Sequence, residues 1–328
     1  MAGYSIKTLA TTLPAGIQGA ASAIVGTRIY LFGGYYGGGT GRSAAIQKYD
    51  TQTGKLTTLA ATTPWRVENM AAATYGTKIY LFGGLYTSNT GSTASRSGVV
   101  CEFDTITETL TANISTLEAM MDGIAAVTVG NLIYLFGGYT GSTRKSLVHI
   151  FDPVNRTRTS AGVSIATAAY QIAAAAVGKY IYLFGGWGSS GVIKTIQRFD
   201  TSTKSIKTLS VSLPAAMRGA LAAAVGNIIY IFGGYSTSTL DTIYAFDTTN
   251  NTIGTISVKL PSARCFIAGT SYGSKVHLLG GYSVKSDVLE FSTGADDPKP
   301  VYKRVDGAGV KQTAFEKSGI DWIKISEQ

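Results

Sequence analysis

The sequence predicts an all-β protein in which one four-stranded unit is repeated six times in a closed ring. Three observations support this prediction. An apolar segment that ends in two glycines recurs six times along the chain. The composition is typical of turn-rich β-proteins. A short stretch at the N-terminus matches the last predicted strand of an internal repeat, which indicates that the two ends of the chain meet.

The recurring segment is Ile-Tyr-Leu-Phe-Gly-Gly at residues 29–34. Further copies begin at Ile79, Ile133, Ile181 and Ile229, and a weaker copy begins at Val276. The first glycines of successive copies lie 50, 54, 48, 48 and 47 residues apart. A period near fifty residues indicates a repeated supersecondary unit that cannot bury its own apolar face alone.

Composition excludes several classes of protein. Apolar residues make up 45% and charged residues 14% of the 328 residues, which excludes a disordered chain. We find neither a secretion signal nor an apolar run long enough for a membrane helix, so the expected location is a virion or the cytoplasm. The net charge is +9, but the basic residues are scattered, so we expect attraction to anionic surfaces or acidic glycans and no nucleic acid binding. Cys101 and Cys265 are predicted to be buried free thiols.

Within each repeat, the first two predicted strands differ in side-chain size. The first strand is rich in alanine, as in residues 173–177, although alanine has a poor β propensity. Crowding around a central axis explains the small side chains. The second strand is the recurring apolar segment, and its continuous apolarity indicates that both of its faces are covered. The two glycines follow where a Cβ would clash or where φ must be positive.

The third predicted strand ends in an aromatic residue and an aspartate, as in Tyr49-Asp50 and Phe103-Asp104. The aspartate occurs once in each of five repeats, so we predict that it caps a turn rather than acting in catalysis. A threonine-rich fourth strand follows. The sixth repeat ends after its third strand, whereas residues 5–9 are identical to residues 205–209, a fourth strand. We therefore predict a six-bladed β-propeller in which the N-terminal strand completes the last blade.

The glycine doublet after an apolar strand, the aromatic-aspartate pair and the period near fifty resemble kelch repeats over residues 4–294. The resemblance implies a kelch-like propeller, predicted here as residues 1–294. The fourth strands lack the usual tryptophan of the family, and only Arg264 stands where many members carry an arginine before the first strand. Residues 295–328 are predicted to form a linker and a small C-terminal β-hairpin extension, which resembles short hairpin modules of phage and prophage structural proteins.

The resemblance places the loops after the second strand and before the first strand on one face, around the central channel. Loops of this kind usually carry binding residues. The candidate residues are Tyr35, Tyr36, Arg66, Glu68, Tyr86, Asp122, Tyr139, Tyr170, Trp187, Arg218, Tyr235, Arg264 and Tyr282. The aromatic residues among them either contact a ligand or wedge between adjacent blades, and the sequence leaves both alternatives open.

We predict no catalytic residues, metal or cofactor. His149 and His277 are expected to be packed strand residues, and no glycine-rich loop opens a helix for a nucleotide. The first functional hypothesis is therefore a non-enzymatic binding propeller, a phage- or prophage-type tail or surface component that recognises a cell-surface glycan or protein through its rim loops. Residues 295–328 would contact other chains of the assembly.

Two alternatives remain. The family includes sialic-acid mutarotases, and in a sialidase-like or mutarotase-like enzyme Arg66, Arg218 and Arg264 would clamp a carboxylate, with Glu68 or Asp122 as acid or base. The other alternative is an intracellular scaffold that binds a peptide at the channel mouth.

Overall fold

The computed structural model describes residues 3–36, 41–87, 93–283 and 285–294. These residues form six four-stranded antiparallel sheets, which confirms the predicted all-β propeller. No helix in these ranges could cross a membrane. The predicted C-terminal extension, residues 295–328, lies outside the described residues.

In blades 1–5 the four strands follow one another outward from the central axis in chain order, and in blade 6 the N-terminal strand is the outermost. The innermost strands are Ala21–Val25, Ala71–Tyr75, Ala125–Val129, Ala173–Val177, Leu221–Val225 and Ala268–Tyr272. The second strands are Arg28–Phe32, Lys78–Phe82, Leu132–Phe136, Tyr180–Phe184, Ile228–Phe232 and Lys275–Leu279. The third strands are Ala45–Asp50, Val99–Asp104, Leu147–Asp152, Thr195–Asp200, Ile243–Asp247 and Asp287–Ser292. The outermost strands are Leu56–Thr62, Thr109–Thr116, Thr157–Ser164, Ser205–Ser212, Thr252–Thr255 and, for blade 6, Ser5–Thr12.

The N-terminal strand completes blade 6 as predicted. Ser5–Thr12 pairs antiparallel with Asp287–Ser292, and Lys7 lies opposite Glu290. The innermost strand of every blade contacts those of both neighbouring blades, including the strands of blades 6 and 1. The ring is therefore closed, and the alanine-rich strands occupy its crowded centre.

The glycine doublets connect each blade to the next. In blade 1, Gly33 has a φ of +64°, and a Cβ on it would lie 2.2 Å from the carbonyl oxygen of Val67 in blade 2. The N–H of Gly34 donates to that same oxygen at 2.7 Å. The same arrangement recurs at the other five doublets. The doublet is therefore an inter-blade contact that no side chain could replace.

A second set of inter-blade hydrogen bonds encircles the mouth of the channel. It involves the residue two positions before each innermost strand: Gly19, Asn69, Gly123, Gln171, Gly219 and Phe266. Each N–H donates to the carbonyl oxygen of the equivalent residue in the preceding blade, over 2.7–3.0 Å, and the N–H of Gly19 closes the ring on Phe266. All six residues have positive φ, which only glycine adopts without strain.

The predicted turn-capping role of the aspartate and the predicted buried free thiols are also confirmed. Oδ1 of Asp50 accepts hydrogen bonds from the N–H groups of Gln52 and Thr53, both at 3.0 Å. Partial burial opposes the effect, but these bonds lower the pKa of Asp50. Cys101 and Cys265 are buried free thiols, and burial raises their pKa to about 11 and about 12.

Candidate functional site

The loops on the rim of the propeller form short ladders between neighbouring segments. The rim strands are Ile17–Gln18, Tyr35–Tyr36 and Gly41–Arg42, then Arg66–Glu68, Leu85–Thr87 and Ala94–Arg96, and finally Trp187–Gly188 and Gly191–Val192. In blade 2, for example, Leu85–Thr87 pairs with both Arg66–Glu68 and Ala94–Arg96. The segments before the innermost strands and after the second strands therefore lie on one face, as the family resemblance implies.

At three junctions an arginine of one blade meets one fixed position in the next blade. The arginine stands three residues before the third strand, and its partner stands three residues before the next innermost strand. Arg42 of blade 1 pairs with Glu68 at 2.7 Å, and Arg96 of blade 2 pairs with Asp122 at 2.5 Å. At the junction of blades 3 and 4, the same register brings Arg144 to the ring of Tyr170, 5.8 Å from its centroid.

The two carboxylates at these junctions are held in a partly dry environment. Burial raises the pKa of Glu68 and of Asp122, and the adjacent arginines, Arg42 and Arg96, offset part of that effect. The side chain of Asp122 is only 5% exposed. At both junctions the arginine charge is compensated within the protein.

The junction of blades 3 and 4 carries an arginine–aromatic cluster. We define this cluster as Arg96, Tyr139, Arg144, Tyr170, Trp187 and Arg218. The guanidinium carbon of Arg144 lies 5.5 Å from the Tyr139 ring centroid and 5.8 Å from that of Trp187. Its Nε is buried without a hydrogen-bond partner, as is the Nε of Arg42. Arg96 lies 4.7 Å from the Tyr139 centroid, so it joins the cluster to its own ion pair with Asp122.

Arg218 borders the cluster on the side of blade 5. Its guanidinium carbon lies 3.7 Å from the Trp187 ring centroid and 5.1 Å from that of Tyr235. Its Nη1 donates to Oε1 of Gln171 at 2.9 Å. Burial lowers the pKa of Arg218. Within the described ranges no carboxylate forms a salt bridge with Arg144 or Arg218, so this part of the rim carries uncompensated positive charge.

The stacked rings bridge neighbouring blades. The centroids of Tyr139 and Tyr170 are 4.9 Å apart with an interplanar angle of 24°, and those of Tyr170 and Trp187 are 5.7 Å apart at 13°. Tyr170 is 8% exposed. At this junction the rings therefore pack against one another and support the guanidinium groups. Of the two alternatives left open by the sequence, these rings therefore fit packing between blades better than the presentation of a free ring face to a ligand.

The other predicted rim residues lie outside the cluster or at its edge. Tyr235 forms backbone bridges with Arg218 and Thr239. Tyr86 packs on Trp65, with ring centroids 5.2 Å apart. Among the described residues, no ring stacking, cation–π contact or salt bridge joins the cluster to half-buried Tyr35 and Tyr36, exposed Arg66 or Tyr282, which is 46% exposed.

Arg264 is buried in the core and does not lie on the rim surface, so its predicted rim position is wrong. It stands four residues before its innermost strand, where the other blades bury the apolar residues Ile17, Val67, Met121, Ala169 and Met217. Its side chain is fully buried, and its Nη1 and Nη2 bond the carboxylate of Asp287 at 2.8 and 2.9 Å. The predicted clamp of Arg66, Arg218 and Arg264 therefore does not assemble.

Sequence reasoning missed Arg42, Arg96 and Arg144. A signal was available, because an arginine occurs at the same offset before the third strand in three consecutive blades. It was hidden because the loops that precede these arginines differ in length. Gln171 and Phe266 were also missed. They line a cavity of about 120 Å³ at the channel mouth, next to Arg218.

Two further observations limit the chemistry of the site. His149 and His277 are buried strand residues, as predicted, and burial lowers the pKa of each. Within the described part of the chain, no group of three or more His, Cys, Asp or Glu residues is placed to hold a metal ion.

Comparisons with known proteins agree with this architecture. A family model described as the KLHDC2/KLHL20/DRC7 Kelch-repeats domain matches residues 4–157 and residues 69–281. A solved structure entitled "Structure of YjhT" superposes with a TM-score of 0.71 at 18% sequence identity, covering 86% of this chain and 95% of that chain. No curated protein gives a significant match. The chain belongs to the kelch-repeat family.

Proposed function

We propose that this protein is a non-enzymatic recognition propeller that binds an anionic cell-surface glycan at the arginine–aromatic cluster. The observation that carries the proposal is the replacement of a carboxylate by Tyr170 at the junction of blades 3 and 4. This replacement leaves Arg144 without the counter-ion that Arg42 and Arg96 possess.

The electrostatics of the cluster favour an anionic ligand. The guanidinium carbons of Arg144 and Arg218 lie 5.8 and 3.7 Å from the ring centroid of Trp187. A partly buried cation without a counter-ion is unfavourable, and a ligand carboxylate would relieve that cost through charge-assisted hydrogen bonds. The aromatic rings hold the two guanidinium groups in place, so less conformational entropy is lost on binding.

A glycan suits the surroundings of these arginines. Between them the rim offers the half-buried side chains of Tyr139, with its hydroxyl group, and of Trp187, with its ring edge. These match the mixed polar and apolar surface of a sugar. The mouth of the channel lies beside Arg218 and offers the side-chain amide of Gln171. A carboxylate-bearing sugar would place its charge on the arginines and its hydroxyls toward these groups.

A comparison of acidic and neutral oligosaccharides tests this proposal. The full chain, applied to a glycan array and then to titration calorimetry, is expected to prefer carboxylated sugars. Arg144→Ala and Arg218→Ala should each weaken binding at least ten-fold. Arg28→Ala removes one charge from a side chain that is 56% exposed on the opposite face, and it should have no effect. Equal binding of neutral sugars, or unaltered binding by both rim variants, would contradict the proposal.

The same acidic sugar distinguishes a binding protein from an enzyme, because only an enzyme would accelerate a reaction of the sugar. Asp122 is a buried carboxyl group beside the cluster, but it already pairs with Arg96. Under the binding hypothesis, the protein leaves the rate of anomer interconversion of a bound acidic sugar unchanged, as measured by NMR. Acceleration that is lost in Asp122→Asn would identify an enzyme.

The proposed setting, a phage- or prophage-type virion, rests on residues 295–328 alone. These residues lie beyond the family match, which ends at residue 281. Light scattering of the full chain beside a chain that ends at residue 294 tests their role, since we expect only the full chain to assemble with further copies or particle proteins.

A further inference from the structure

The positive charge of the chain is concentrated in two adjacent blades. Residues 122–217, which hold blades 3 and 4 from the first rim residue of blade 3, include nine of the 28 lysines and arginines but only three of the 19 acidic residues. They therefore carry +6 of the net charge of +9. The sequence showed these residues as scattered, but the fold brings them to one side of the ring.

Blade 4 places two of these charges directly against each other. Lys207 of the outermost strand is the register partner of Arg198 in the third strand. Like charges directly opposite on neighbouring strands are destabilising. Neither side chain forms a salt bridge within the described residues.

Blade 6 provides a comparison within the same molecule. Its outermost strand begins with the same five residues, Ser-Ile-Lys-Thr-Leu, and Lys7 occupies the position of Lys207. The register partner of Lys7 is Glu290, and Nζ lies 2.9 Å from its Oε1. The fold therefore accepts a carboxylate at this position, and blade 4 has an arginine there instead.

Two more cations lie near this pair and complete what we call the blade-4 patch: Lys179, Arg198, Lys204 and Lys207. Arg198 and Lys179 lie 4.4 and 5.1 Å from the ring centroid of Tyr180. Among the described residues, Asp200 is the carboxylate that forms a salt bridge with the patch: it pairs with Lys179 at 2.9 Å and also accepts a hydrogen bond from the N–H of Ser202 in its own turn. Lys204 and Lys207 are exposed. The patch therefore keeps a net positive charge.

The blade-4 patch is separate from the arginine–aromatic cluster. Lys179 lies in the turn between the first and second strands, and Lys204 lies in the turn between the third and fourth strands. Both turns are at the end of the blade opposite the rim, so a ligand on the patch does not compete with one on Arg218.

We propose that the blade-4 patch binds a polyanionic polysaccharide that carries sulfate or uronate groups. The exposed hydroxyl of Ser205, two residues from Lys207 on the same face of the strand, supplies a neutral hydrogen-bond partner for sugar and sulfate oxygens. A polysaccharide fits better than a nucleic acid, because base stacking needs a free aromatic face and cations already cover the ring of Tyr180.

Binding of a fluorescent heparin octasaccharide to the full chain tests this inference. The wild-type chain is expected to bind, with an affinity that falls steeply between 50 and 200 mM NaCl, as for other polyanions, by about ten-fold or more. Arg198→Glu should weaken binding at least ten-fold without unfolding the protein, because the new carboxylate would pair with Lys207 as Glu290 pairs with Lys7. Thermal unfolding checks that the variant is folded.

Three controls make the outcome decisive. Lys55→Glu makes the same charge change, a cation replaced by a carboxylate, on an exposed turn of blade 1, and it should change affinity less than two-fold. An excess of a carboxylated monosaccharide, which occupies the rim under the proposed function, should leave octasaccharide binding intact, so the two inferences can fail separately. Absence of binding, or equal weakening by Lys55→Glu, would refute the patch. A single-stranded oligonucleotide of equal charge that binds as tightly would refute the polysaccharide.

Discussion

The junctions of blades 1–3 and the junction of blades 3 and 4 use the same register with different chemistry. Arg42 and Arg96 each meet a carboxylate of the following blade, whereas Arg144 meets Tyr170. The backbone geometry that brings the residues together is shared. The residue type three positions before the innermost strand therefore decides whether a rim arginine is paired with a carboxylate or stacked on an aromatic ring.

The largest expected effect comes from breaking a compensated junction. Arg96→Ala leaves Asp122 buried without a counter-ion and is expected to lower the free energy of unfolding by about 3 kcal/mol. The matched change Arg144→Ala breaks no ion pair and should cost less than about 1 kcal/mol. Urea denaturation of both variants at pH 7 measures the difference. Equal losses would show that the two junctions are energetically alike.

The next effect comes from converting the open junction into a compensated one. Tyr170→Glu places a carboxylate where Glu68 and Asp122 stand in the neighbouring junctions, so it should pair with Arg144 and weaken an acidic sugar at least ten-fold. Tyr170→Gln removes the same ring without adding charge and serves as the control. Calorimetric titration should find the glutamate variant clearly weaker than the glutamine variant. The same affinity in both would mean that the ring, not the open charge, supports binding.

The carboxyl groups at the compensated junctions should make the comparison of the two kinds of junction depend on pH. Burial raises the pKa of Glu68 above 4.5 and that of Asp122 above 3.8, so the folded state holds these protons more tightly than the unfolded state. Their contribution to stability is therefore most favourable at low pH and is lost as the pH rises through the folded pKa. The carboxyl group introduced by Tyr170→Glu should likewise become protonated as the pH falls. Its effect on ligand affinity should shrink as the pH falls toward 4.5, while the glutamine control keeps a constant ratio to wild type.

Much of the scaffold could be predicted from the sequence because repetition averages out local ambiguity. Six copies of a glycine doublet and five aspartates at one offset identify positions that every blade needs, and strand identity between residues 5–9 and 205–209 identified the closing strand. The site could not be predicted in this way. Arg264 lies one residue before the rim position that Glu68, Asp122 and Tyr170 occupy in their blades, and that shift turns its side chain into the core against Asp287. Pairs such as Arg96 and Asp122 depend on inter-blade register, which no single repeat encodes.

The smallest expected effect concerns Arg66, which the sequence placed among the binding residues. Its side chain is exposed at the start of a rim strand. Among the described residues, it forms no cation–π contact with Trp187 and does not line the cavity at the channel mouth. Arg66→Ala should therefore change acidic sugar affinity less than two-fold, whereas Arg218→Ala removes a guanidinium that is partly buried on an indole. Because both variants lose one positive charge from the same face, their ratio separates local recognition from general attraction. A loss for Arg66→Ala equal to that for Arg218→Ala would indicate that the whole rim acts as a diffuse cationic surface.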